Sequence, residues 1–191
     1  MKHAAFTLLS LVLLAGSLSA GPVEDFCSQF AAGAEVRVYR GFPKAGFDRD
    51  RTWIERAKKA EAFELLGDVF YPEAKTLDAK EAATWLALAT NPKNYYTSTA
   101  GAGKPDPNFY ADIAFWCVTP DHKNQVYCLA SFETSQMKIA FTVDSVTVAM
   151  TLDLEKRCRE ILQHTFEQEI KDEQQASAQQ NPTKRPPQKQ L

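Results

Sequence analysis

Four cysteines, Cys27, Cys117, Cys128 and Cys158, are the side chains with the widest chemical range in this chain. As zinc ligands they would need close pairs of the CxxC or HxxxH type, and as a redox centre a CxxC at a helix start, where the thiol pKa falls. Neither spacing occurs. Cys117 and Cys128 are separated by "VTPDHKNQVY", ten residues with one histidine, His122. An even number of cysteines in an oxidising compartment forms crosslinks instead. The segment "TPDHKN" has turn chemistry, and its flanks "FYADIAFWCV" and "QVYCLASFE" are rich in aromatic and branched residues. That pattern predicts a β-hairpin with Cys117 and Cys128 facing each other and bridged. Cys27 and Cys158 then pair by elimination. In the chain-entropy model the short loop is worth about 3 kcal/mol and the long one about 5 kcal/mol.

The histidines offer a second chemistry. His122 adjoins Asp121, and His164 forms an i, i+4, i+7 stripe with Glu160 and Glu167 that can present carboxylates and an imidazole to a metal. The same stripe reads more simply as a solvated helix face, and His122 as a turn residue. No GxSxG elbow is present, and "STAGAGKPD" at 98–106 lacks the first glycine and the hydroxyl residue that a phosphate loop requires. The residues therefore assign no catalytic group, no metal ligand and no cofactor.

Aromatic side chains supply candidate contacts. Tyr95 and Tyr96 open an 18-residue connection, 91–108, of a length that is functional or disordered in compact domains, and Phe42 and Phe47 lie in a charged loop at 41–51. Tyr95, Tyr96, Phe42 and Phe47 are the expected partner-binding residues.

The elements that hold these residues change in period along the chain. Apolar residues from Val23 to Val38 recur at helical spacing, stopped by Gly41 and Pro43; a second helix is predicted from about 50 to 70. A third starts at Asp78, with Glu81 completing a capping box, and ends at Asn91-Pro92. After the hairpin, "MKIAFTV" and "SVTVAM" predict two strands or one bent one. A last helix, capped by Asp153, carries Leu154, Cys158, Ile161, Leu162, Thr165, Phe166 and Ile170 on one face. Helices segregated from a short antiparallel sheet make an α+β fold; a mostly α fold with 107–118 helical is the alternative.

Residues 1–20, a short basic start, an apolar run and then small residues, have the form of a secretory signal. The rest reads as one domain, 21–173, followed by a Gln/Pro/Lys-rich tail, 174–191, with too little apolar surface to order itself. The segment 21–173 carries 18 Lys/Arg against 24 Asp/Glu, a net charge of −6, which argues against nucleic acid as a partner. Stable membrane insertion after signal removal is not expected, since no later apolar run approaches about 18 residues. The chain is expected in the periplasm or secreted, as a non-catalytic binding protein for another envelope or secreted protein: an inhibitor, an immunity protein or an accessory assembly subunit. An envelope hydrolase or metal-dependent enzyme using His164 or His122 is the alternative.

Overall fold

A computed structural model describes residues 21–43, 51–96, 108–142 and 144–180, and the fold it shows is α+β. Helix α1 (Pro22–Phe30) is followed by β1 (Glu35–Gly41), helix α2 (Arg51–Lys59), the hairpin β2 (Phe63–Leu65) and β3 (Asp68–Thr76), and helix α3 (Ala79–Ala89). A 3-10 turn, Pro92–Asn94, leads into β4 (Tyr95–Tyr96). Strands β5 (Ile113–Val118), β6 (Gln125–Ser131), β7 (Gln136–Ala140) and β8 (Ser145–Met150) form a meander, and helices α4 (Leu152–Thr165) and α5 (Glu167–Gln180) follow. All eight strands join one antiparallel sheet in the order β2-β3-β1-β5-β6-β7-β8-β4, larger than the short sheet expected.

Three helical expectations are corrected. The first helix stops at Phe30 because Gly33, at φ 111°, turns the chain, and "EVRVYRG" then alternates as a strand with Val36 and Val38 buried. The second helix ends at Lys59, closed by bonds from Glu61 N to Lys58 O and from Ala62 N to Ala57 O, with Glu61 in the left-handed region. Residues 63–76 are strands instead. Leu66 (φ 55°) and Gly67 (φ 92°) both have positive φ, the requirement of a two-residue hairpin turn that matches strand twist. Finally, the last helical stretch breaks at Phe166, its first half is capped by the Thr151 hydroxyl rather than Asp153, and its second half runs past 173 to Gln180.

Alternation along the strands sorts side chains to two faces. On one face, Ile113, Phe115, Cys117, Val126, Cys128, Met137 and Ile139 meet Phe26 and Phe30 of α1, Trp85 of α3, and Leu154, Cys158 and Ile161 of α4. Trp85 stacks on Phe115 at 4.1 Å between centroids and 15° between planes. This is the main core.

The other face encloses a smaller cluster of Phe70, Phe109, Ala111, Ala114 and Leu129, flanked by Tyr39, Phe63, Leu65 and Tyr127. Four strand spacings separate β3 from β7, which a flat sheet would hold about 19 Å apart. Yet Lys138 on β7 donates to Leu66 O at 3.1 Å and pairs with Asp68 at 3.6 Å. The sheet is therefore curled. Its bend lies where the β1–β3 register slips between Tyr39 and Gly41, opposite the stretch holding Pro72, which has no N–H to give to a ladder. Gly41 is required there, since a Cβ would sit 2.2 Å from the Ala111 carbonyl oxygen.

Candidate functional site

Turn length fixes strand register. The connection 119–124 places Val118 opposite Gln125, so Cys117 stands opposite Val126 and Cys128 opposite Phe115. The expectation that the two cysteines face each other is corrected: they share a face but lie on a diagonal. All four cysteines are free thiols, with Cys117, Cys128 and Cys158 fully buried and Cys27 partly so. They come from α1, β5, β6 and α4, and Tyr95 packs against the core that holds Cys117, Cys128 and Cys158; burial pushes the Tyr95 phenol pKa well above its ordinary value, with the nearby cysteines adding to the effect. Cys128 lies within hydrogen-bonding reach of Cys117. Burial, with the Glu24 charge, pushes the Cys27 thiol up to about 11, and burial pushes Cys158 up to about 12. Thiols so shifted are neutral near pH 7 and weak as nucleophiles or metal ligands. Among the described residues no group of three or more His, Cys, Asp or Glu side chains is arranged to hold a metal.

His122 sits at φ 57° in the hairpin turn, exposed, with its N–H bonded to Thr119 O at 2.8 Å. Its neighbour Asp121 is engaged elsewhere, accepting from Thr119 Oγ1 at 2.7 Å and Lys123 N at 3.2 Å, and bonds of this kind hold its carboxyl below the usual range. The stripe of Glu160, His164 and Glu167 is interrupted by the helix break at Phe166. Glu160 pairs with Arg157 at 3.4 Å and Glu167 with Lys171 at 2.5 Å, while His164 points to solvent in the last turn of α4. Both carboxylates are thus committed to cations of their own helices, and neither histidine is joined to the partner the sequence offered it.

The two tyrosines part company, because consecutive strand residues face opposite ways. Tyr95 turns inward. Its hydroxyl donates to Ala89 O at 2.5 Å and lies 3.8 Å from Met137 Sδ, tying β4 to the end of α3 and to β7. Tyr96 turns outward and is 60% exposed. Phe42 is also interior, 7% exposed and edge-on to Trp53 at 5.5 Å between centroids. Phe47 lies outside the described residues, as do residues 1–20, 97–107 and 181–191.

Sequence reasoning missed Leu152, 83% exposed at the first position of α4. It follows β8, on which Ala149 pairs with Tyr96, and Asn94 O accepts the N–H of Thr151 just before it. The signal was available: Leu152 stands two residues before the apolar face that begins at Leu154 and off its spacing. Among the described residues no helix is long and apolar enough to cross a membrane. Comparison with models of protein families, with curated proteins and with solved structures gives no match.

Proposed function

We propose that this chain is an exported, non-catalytic binding protein that engages another envelope or secreted protein through the β4 edge of its sheet. The observation that carries the reading is the pair Tyr96 and Leu152, the two most exposed large apolar side chains among the described residues, one on the edge strand β4 and the other just past the end of its neighbour β8. Apolar and aromatic anchors beside a short edge strand are the features a protein partner uses, and the largely buried cysteines and committed carboxylates leave little for chemistry. Export also places the cysteines where thiols are oxidised, so a covalent staple in the hairpin belongs to this reading.

The test is capture from an envelope extract with the wild-type chain and with a Tyr96→Ser/Leu152→Ser variant. A stoichiometric protein retained by the first and lost by the second, at unchanged melting temperature, supports the reading. Equal retention by both, or by neither, removes it.

A further inference from the structure

Three of the four sulfurs, those of Cys117, Cys128 and Cys158, share the main core, and Cys27 is half-buried on α1. Cys117 and Cys128 hang from adjacent strands on the same face, two residues out of register, with their sulfurs in hydrogen-bonding reach. For Cys158 and Cys27 no such bond to Cys128 is found among the described residues. Cys158 lies on α4, which packs against α3, and the Trp85 indole N–H is close enough to influence it. Cys27 lies on α1, which packs over β7 and β8 with its thiol beside Glu24.

We propose that oxidation gives this protein one disulfide, Cys117–Cys128, laid diagonally across the hairpin, and leaves Cys27 and Cys158 as thiols. Diagonal cross-strand positions stand about 7–8 Å apart at Cα, just beyond the ordinary disulfide range, so closure requires a small local shift of the backbone at the hairpin. The remaining pair would have to close between two helices that pack chiefly on other elements, α1 on β7 and β8 and α4 on α3 and α5. The proposal depends on the register of β5 and β6 and is independent of the compartment in which the protein works.

The oxidant is a small disulfide such as oxidised glutathione. Each cysteine gives up one proton and one electron as the S–S bond forms, and the reagent takes up both pairs as its own S–S bond breaks to two thiols. Because Cys117 and Cys128 are sealed from solvent once folded, exchange takes place while the chain is folding.

The experiment is to refold the full chain in a glutathione redox buffer, denature it without reductant, label with a maleimide and map the peptides by mass. The expected result is two labels, on Cys27 and Cys158, and a linked peptide joining Cys117 to Cys128. Reduction then lowers Tm by roughly 5–10 °C. A Cys27→Ala/Cys158→Ala variant that folds keeps the linked peptide. Four labels, no labels, or any linked peptide containing Cys27 or Cys158 overturns the proposal.

Discussion

Arg40 and Glu173 form a two-pronged ion pair, Nη1 to Oε2 at 2.9 Å and Nη2 to Oε1 at 3.1 Å, that fastens α5 to β1 across 133 residues of chain. The Tyr71 hydroxyl donates to the same carboxylate, and the Arg40 guanidinium lies 4.0 Å above the Tyr71 ring. Beside it Lys75 pairs with Glu169 and donates to Thr165 O at 2.8 Å. Helix α5 is thus held mainly by polar contacts.

These contacts make the docking of α5 sensitive to pH at both ends. Burial opposes the charge of Glu173, but the hydrogen bonds from Arg40 and Tyr71 and the Arg40 charge prevail and hold its carboxyl below the usual range. The folded pKa is lowered, so this stabilisation is complete above the unfolded value of about 4.3 and fades as pH falls through the folded one. Burial and the Glu173 contact push Tyr71 up to about 12. That pKa is raised, so its contribution is intact below about 10 and is lost as pH climbs to about 12. Glu173→Gln is expected to remove about 1 kcal/mol and to speed amide exchange within α5 before the rest of the chain. Exchange in α5 that matches wild type would refute the latch.

Asp68 is expected to be the most sensitive charged position on the curled face. It is 6% exposed, accepts from Ala111 N at 3.0 Å and pairs with Lys138, which itself is largely covered. Asp68→Ala leaves Ala111 N without its acceptor and Lys138 without its counter-ion and is expected to cost about 3 kcal/mol, whereas Asp68→Asn keeps the Ala111 bond and costs less. Urea midpoints of the two variants decide it; equal midpoints would contradict the role of the Ala111 bond.

Trp85 tests the main core. It is fully buried on Phe115, and its indole nitrogen makes no hydrogen bond among the described residues. Trp85→Ala should therefore cost about 3–5 kcal/mol. Trp85→Phe keeps a ring on Phe115 and gives up only the approach of the indole N–H to the Cys158 thiol, so it should cost at least about 1 kcal/mol less. Chemical denaturation of both variants provides the comparison.

The sequence was readable where periodicity and punctuation agreed. Helix α3 begins where Asp78 accepts from Glu81 N at 2.7 Å, and the β5–β6 hairpin and the β7 and β8 strands follow their branched, alternating residues. It was unreadable at 63–76, where "FELLGDVFYPEAKT" is rich in helix formers and the strand is imposed by pairing with β1. The only local signs were Leu66-Gly67 and Pro72. At the candidate site, the opposed directions of Tyr95 and Tyr96 follow from strand geometry alone, but that they lay in a strand was hidden inside what read as a loop. The cysteine diagonal depended on register, which spacing alone leaves open by two residues.

Strand β1 lies between β3 and β5, and so joins two units that are otherwise built from neighbours in sequence, the β2–β3 hairpin and the β5–β8 meander. Both can assemble quickly from short-range contacts, but Val36 must find Cys117 across more than eighty positions before the halves become one sheet. Insertion of this central ribbon is therefore the step on which the speed of folding turns, and until it happens two bare strand flanks stand open to pairing with another molecule.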